Sequence, residues 1–302
     1  MKKLQIWLPL VLLALATSCD KSEFTAPAFI HLDAMVLEPN GRHVRFSEEG
    51  LLTSDIVAVY VVAHRPGAPA EDTIGLFRLP FTAPILFDGT LDYLEFSPAI
   101  QQSGATLGLP YYTFYKRLRR SGVTLHTGDT LNFGTDTTSY DIGSDELKIF
   151  VPFEQPYNSI YFDSVMEWVD GRPDEACTGN GYGRVHVSPD RTSQDFALDY
   201  DFDVDYSTYP VMYLEFDTRS DVDYEIYMHS RYQTGSAIDK QPVMVVRASE
   251  DWNHLYVNMG RTWDYFNHYH EFRISFTAIN GDCIDGDVRL DNVRLVVTPK
   301  SL

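Results

Sequence analysis

"PVMYLEFDTRSDVDYEIYMHS", Pro210 to Ser230, decides the fold class. Apolar and aromatic residues alternate with polar ones over Val211 to Asp217 and again over Tyr224 to His229. A Ser-Asp step between them breaks the pattern. A period of two puts alternate side chains on opposite faces, so the stretch reads as two half-buried strands joined by a turn. The pattern continues downstream in "PVMVVRAS" (Pro242 to Ser249), "WNHLYVNMG" (Trp252 to Gly260), "EFRISFTAI" (Glu271 to Ile279) and "GDVRLDNVRLVV" (Gly286 to Val297). Eight or so antiparallel strands in about 150 residues predict a jelly roll over residues 147–302.

Upstream, "FIHLDAMVLE" (Phe29 to Glu38) also alternates, and the turn dipeptide Asn40-Gly41 follows it. "DIVAVYVVAH" (Asp55 to His64) is a β-branched run suited to a central strand. "IGLFRLP" (Ile74 to Pro80), "APILFDG" (Ala83 to Gly89) and "LDYLEFSP" (Leu91 to Pro98) are further short strands with Gly and Pro punctuation. No helical repeat is long enough for a bundle. The chain reads as all-β: an N-terminal β-sandwich over residues 29–133, a linker over 134–146 ("GTDTTSYDIGSDE"), and the C-terminal antiparallel jelly roll.

The 302 residues are 44% apolar and 14% aromatic, enough to bury a core, and the formal net charge is −19. That charge repels phosphate backbones and excludes nucleic acid as a partner. "KRLRR" (Lys116 to Arg120) is the one basic cluster. It reads either as a solvated loop balancing nearby acids or as a contact for glycolipid phosphates.

At the N-terminus Lys2 and Lys3 precede an apolar run, Leu4 to Ala16. As a helix this run reaches about 20 Å, short of a hydrocarbon core of about 30 Å, so it fits a cleaved signal and not a span. The end, Leu15-Ala16-Thr17-Ser18-Cys19, resembles a bacterial lipobox. It departs from the common pattern in the spacing of Leu15 and in Ser18, as the looser lipoboxes of Bacteroidota do. The resemblance implies a signal peptide over residues 1–18, acylation of Cys19 and anchoring in outer-membrane lipid, with a tether over 19–28. Two or more acyl chains anchor stably where one is marginal. Asp20-Lys21-Ser22-Glu23 resembles a short acidic signal for the cell surface; the periplasmic face stays open as the alternative.

Gly75, Phe77, Leu79, Pro80, Pro84, Leu86 and Gly89, followed by Pro98, Ile100, Gly104, Pro110, Tyr111, Phe114 and Tyr115, resemble a block shared by uncharacterised Bacteroidota lipoproteins, with no known chemistry. Gly286, Val288, Leu290, Asp291, Asn292, Val293 and Leu295, together with Phe153 and Glu154, resemble the last and first strands of carbohydrate-binding-module, or galactose-binding-like, jelly rolls. That resemblance implies a structural calcium ion held by Glu154 and Asp291, with Asp163 or Asp285 completing the shell. The alternative is that Asp291 caps a turn and Glu154 is solvated.

"RTWDYFNHYH" (Arg261 to His270) gathers aromatic and hydrogen-bonding residues in one loop, as sugar recognition requires. Arg261, Trp263, Asp264, Tyr265, Asn267 and Tyr269 are its candidate ligand contacts; the alternative is that half the aromatics plug the end of the sandwich. His268 and His270 lack a third ligand for a metal, and Trp168 reads as a core residue. Once lipid takes Cys19, Cys177 and Cys283 remain. A disulfide between them would close a loop of roughly 100 residues and contribute about 4 to 5 kcal/mol; two separate thiols are the alternative.

No hydrolase elbow, zinc-protease motif, P-loop or dinucleotide fingerprint is present. The expectation is therefore a non-catalytic surface lipoprotein whose jelly roll binds a polysaccharide or a protein partner. The alternatives are a structural role in a secretion, gliding or adhesion complex, and, behind it, a glycoside hydrolase or lyase.

Overall fold

The computed structural model describes residues 26–39, 52–103, 108–143, 145–155, 162–170, 172–198, 204–231, 238–266 and 269–298. Cys19, the signal and most of the tether, the Asn40-Gly41 turn, Asn267 and His268 lie outside them.

The first unit contains β1 (Ala28–Leu32), β2 (Ala34–Leu37), β3 (Ile56–His64), β4 (Asp72–Arg78), β5 (Phe81–Ile85), β6 (Gly89–Thr90), β7 (Tyr93–Ile100), β8 (Leu118–Ser121), β9 (Thr124–Leu125), β10 (Thr130–Asn132) and β11 (Thr135–Thr138). Its main sheet runs β4-β3-β7-β8, antiparallel throughout. Against it lies the layer β10-β1-β5, while β2 pairs in parallel with β11. The alternating residues Ala28, Ile30 and Leu32 of β1 and Phe81, Ala83 and Ile85 of β5 meet Val59, Val61, Leu94 and Phe96 from the main sheet. The stretch expected as one strand at Phe29 breaks at Asp33, and the expected linker contributes β11.

The second unit contains β12 (Leu147–Val151), β13 (Glu167–Val169), β14 (Tyr182–Val187), β15 (Ser193–Ala197), β16 (Val211–Ser220), β17 (Asp223–Arg231), β18 (Asp239–Val246), β19 (Ser249–Asn258), a short helix α1 (Gly260–Tyr265), β20 (His270–Ile279) and β21 (Gly286–Thr298). One sheet runs β13-β14-β21-β16-β19, with β12 also on β21; the other runs β15-β20-β17-β18. Every pairing in both sheets is antiparallel. Leu214, Phe216, Val257, Leu290 and Leu295 from the first sheet pack on Ile226, Met228, Ile274 and Phe276 from the second. This is the sandwich that the alternation at Val211 to Asp217 predicts.

One irregularity positions everything that follows. Opposite the register shift in β16, β21 carries Asn292 at a φ of +49°. A left-handed residue is tolerated by Asn because its side chain is short and polar, and a bulge of this kind reverses the inside-outside phase of a strand. Val288 and Leu290 point to the core before it, Val293 and Leu295 after it. Arg294 is thereby turned to the outer face of the sheet.

That outer face is covered by the first unit. Tyr112, Phe114 and Tyr115 from the first unit, with Tyr140 from the stretch after β11, form one buried cluster with Leu147, Tyr213, Tyr256 and Val296 from the second. The Tyr112 ring packs edge-on to Tyr213 and Tyr256, with centroids 5.2 and 4.9 Å away. Hydroxyl pairs such as Tyr115 with Tyr256, at 2.8 Å, let these rings be buried with their polar tips satisfied.

Candidate functional site

Alternation along β16 places Glu215 and Asp217 on the covered face, in alternation with core-facing Leu214 and Phe216. Both carboxylates are essentially unexposed, as are Asp291, Asn292 and Arg294. Buried charge is tolerated only when it is paired and hydrogen-bonded. Here Tyr112 and Tyr140 donate to Oε1 and Oε2 of Glu215, each at 2.5 Å. Arg294 Nη1 lies 3.7 Å from Glu215 Oε2 and donates to the Tyr140 hydroxyl at 3.1 Å. Asp217 accepts from Thr53 Oγ1 at 2.6 Å, from Asn292 Nδ2 at 2.9 Å and from His254 Nδ1 at 2.9 Å. The other His254 nitrogen lies 3.7 Å from Glu215.

Burial works against ionising Glu215 and Asp217, but the nearby His254 imidazolium and the Arg294 guanidinium outweigh it and hold both below the usual carboxylate range. Burial likewise disfavours the His254 cation, yet the charge of Asp217 beside it raises its pKa. The network is a charged knot tied between two β units.

Beside this knot the two units leave a cleft of about 900 Å³. The first unit lines it with Leu37, Thr53, Asp55 and Gln101; the second lines it with Cys177, Asp217, Met244, Trp252, Asn253 and His254. A concave site at a domain boundary with an aromatic wall and a few convergent polar groups is the usual form of a ligand pocket. Trp252 is half-buried and fixed by its indole N–H, which donates to the Glu175 carbonyl at 3.0 Å. Asn253 is exposed, and its amide nitrogen donates to Ser249 Oγ and the Asp251 carbonyl, both at 2.8 Å. Burial raises the Asp55 carboxyl, with His254 working against the shift.

Cys177 and His254 on one cleft wall invite a nucleophile reading, but the chemistry runs the other way. Burial and the negative charges of Asp217 and Asp291 push the Cys177 thiol far up, and the thiol bonds to the Asp217 carboxylate instead of to the His254 imidazole. An activated cysteine needs a lowered pKa and a basic partner.

The expected Cys177–Cys283 bridge is not formed; both are free thiols, Cys177 half-buried and Cys283 exposed. Cys177 adjoins Thr178, whose N–H bonds Asp291, whereas Cys283 lies in the turn before Gly286. From Gly286 to Asp291 the strand advances about 17 Å, well outside the Cα separation of a disulfide.

The 261–270 loop divides. Trp263 lies on α1 at 0% exposure. Its ring packs on Phe272 at 4.5 Å and Tyr206 at 5.8 Å, and its N–H donates to the Tyr209 carbonyl at 2.8 Å. Trp263 is a plug of the sandwich end and cannot serve as a sugar platform. Tyr265 is 55% exposed and donates to Asp239 at 3.1 Å. Arg261 and Asp264 are exposed, and Tyr269 is half-buried against Phe266 at 4.9 Å.

Glu154 and Asp291 are brought under one loop. Asn180 N–H donates to Glu154 Oε2 at 3.1 Å, and Thr178 N–H to Asp291 Oδ2 at 3.2 Å. Gly179 has a φ of +61°, and a Cβ there would stand 1.9 Å from Glu154 Oε1, so a larger residue would strain the backbone and push the carboxylate aside. Burial, and then the charges of Asp217 and Glu154, hold the Asp291 carboxyl well above its ordinary range. Asn292 Oδ1 is buried and has no hydrogen-bond partner among the described residues. These are hard oxygen donors, the kind calcium takes. Asp163 and Asp285 are engaged elsewhere, Asp163 by the Val165 and Ala197 N–H groups and Asp285 by His186. Among the described residues no three His, Cys, Asp or Glu converge as a metal cluster.

No protein-family model and no curated protein matches the chain. Similar solved structures include the CBM22-1 and GH10 modules of Clostridium thermocellum xylanase 10B, at 10% identity and TM-score 0.38, covering 51% of this chain and 29% of that one. The CBM22-1 xylan-binding domain of Paenibacillus barcinonensis Xyn10C is 9% identical at TM-score 0.38, covering 52% of this chain and 97% of its own. A family 11 carbohydrate-binding module from Clostridium thermocellum is 14% identical at TM-score 0.31, covering 45% and 86%. Likeness of this size is general β-sandwich likeness, and the site is characterised by its own residues.

Proposed function

We propose that this is a non-catalytic, lipid-anchored glycan-binding protein of the outer membrane, acylated at Cys19, that holds a sugar chain in the cleft between its two sandwiches. The observation that carries the glycan half is Trp252: an immobilised indole beside Asp55, Gln101 and Asn253. Aromatic faces take the apolar side of a sugar ring, and side-chain amides and carboxylates take its hydroxyls. The cleft replaces the 261–270 loop as the principal site, and Tyr265 and Tyr269 are not part of its lining. The protonated Cys177 thiol supports a binding role over a catalytic one.

Affinity electrophoresis of the full chain against a panel of soluble polysaccharides tests this. Retention on one of them, weakened about tenfold by Trp252→Ala and unchanged by Tyr265→Ala, is the expected result. No retention by the folded protein on any polysaccharide contradicts it. The anchor is tested separately: Cys19→Ala should release the protein from the membrane fraction.

A calcium ion at Glu154, Asp291 and Asn292 belongs to the same reading. It would neutralise the crowded Asp291 carboxylate and use the unpartnered Asn292 oxygen. A rise in melting temperature on adding calcium to chelator-treated protein is expected, and its absence in Asp291→Asn would tie it to this site.

The second reading is a structural part of a surface assembly. It is favoured by the covered sheet face, which joins both sandwiches into one stiff body suited to spacing a partner from the bilayer. Crosslinking in intact cells to one stoichiometric protein would favour it.

A further inference from the structure

The basic run Lys116 to Arg120 has no part in the cleft. Two of its charges are consumed locally. Arg120 Nη2 donates to both oxygens of Asp136, at 2.6 and 2.8 Å, and Arg119 donates through Nε and Nη2 to Glu95 Oε2, at 3.0 and 2.7 Å. Glu95 is 5% exposed and faces Arg119 directly across the β7–β8 ladder.

Arg117 is different. Its sole carboxylate among the described residues is the same Glu95, at 3.5 Å through Nη1, and it makes no hydrogen bond there of ordinary length. One buried carboxylate is therefore shared by two guanidinium groups, and the second keeps a donor edge free for another acid. That edge borders a hollow of about 460 Å³ lined by Glu95, Tyr111, Thr113, Lys116, Arg119 and Asp141. Lys116 and Arg117 are exposed. Three cations face two carboxylates there, a local positive excess on a chain whose formal charge is −19. Beneath Arg117 lies the ring of Tyr111, 5.2 Å from the guanidinium carbon and 43% exposed. Tyr111 is braced edge-on by Tyr60, with centroids 6.3 Å apart.

We propose that this hollow on the first sandwich binds an acidic sugar residue, its carboxylate on Arg117 and Lys116 and its ring against Tyr111. A planar carboxylate matches the fork of an arginine, and the adjacent Arg119 already holds a carboxylate oxygen, Glu95 Oε2, with two of its donors. The volume lies in the range of small-ligand sites. This site is independent of the cleft and stands or falls without it.

The test uses calorimetric titration of the full chain with oligogalacturonate and with the same oligomer methyl-esterified. Wild type should bind the free acid, lose affinity as salt is raised, and ignore the ester. Lys116→Ala with Arg117→Ala should weaken acid binding about tenfold or more. Arg191→Ala, which removes an exposed cation on the other sandwich away from the cleft, should leave it intact. Equal binding of acid and ester, no binding of either, or full affinity in the double variant would each overturn the assignment. Binding to anionic vesicles in preference to the free oligomer would also overturn it.

Discussion

The phenol of Tyr140, in the stretch between the two sandwiches, donates 2.5 Å to Oε2 of Glu215, a carboxylate at 0% exposure in the middle of the second. Through it the units share one buried charge network, so the seam is a part of the fold and not a loose contact. Tyr140→Phe removes a charge-assisted hydrogen bond and should cost about 1 to 3 kcal/mol. Glu215→Ala also removes the carboxylate 3.7 Å from the buried Arg294 guanidinium and should cost about 3 to 5 kcal/mol. Urea unfolding checks both, with the midpoint falling at unchanged slope if the transition stays cooperative.

The same network sets a pH response. The His254 pKa is raised in the fold, so the stability it lends is complete below its ordinary value and is lost as pH climbs through the raised one. Glu215 and Asp217 are lowered, so their contribution holds above ordinary carboxylate values and disappears as pH falls through the depressed ones. Calorimetric melting temperature should therefore decline as pH rises above the ordinary histidine range. In His254→Gln that decline should be blunted and the acid limb retained.

Trp263 and Tyr265 are two residues apart and should behave oppositely. Trp263→Ala empties a filled core position and should cost about 3 to 5 kcal/mol. Tyr265→Ala acts on an exposed ring and should stay within about 0.5 kcal/mol. Chemical denaturation of the two variants decides it.

The two free cysteines should separate by reactivity. Cys283 is exposed and Cys177 is half-buried, with its thiol pushed up by burial and by Asp217. Since the thiolate is the reactive form, brief iodoacetamide treatment at neutral pH should label Cys283 and leave Cys177 unmodified by peptide mass analysis. Labelling at Cys177 first would contradict the described environment.

Both sandwiches were legible because a half-buried strand writes its period into the chain. Met212, Leu214 and Phe216 alternate with Tyr213, Glu215 and Asp217, and the apolar set does face the core. Alternation separates the two faces but cannot say whether the polar face meets water or another unit. Hence the seam was invisible, although Tyr213 and Tyr256 on that face and the arginine inside "NVRLVV" were signals of cover. β11 hid in a Thr/Asp-rich stretch because its pairing with β2 is non-local. Trp263 misled because a six-residue helix turns its ring inward. The cleft was illegible for the same reason as the seam: Thr53, Gln101, Cys177 and Trp252 meet only after both units are docked.

Hydroxyl-radical footprinting with and without the polysaccharide retained in electrophoresis addresses the binding cleft most directly. Protection at Trp252 and Met244, with Tyr265 and Tyr269 unchanged, is the predicted result. Protection confined to Tyr265 and Tyr269, with Trp252 and Met244 oxidised as before, would place the sugar on the end loop and contradict the cleft.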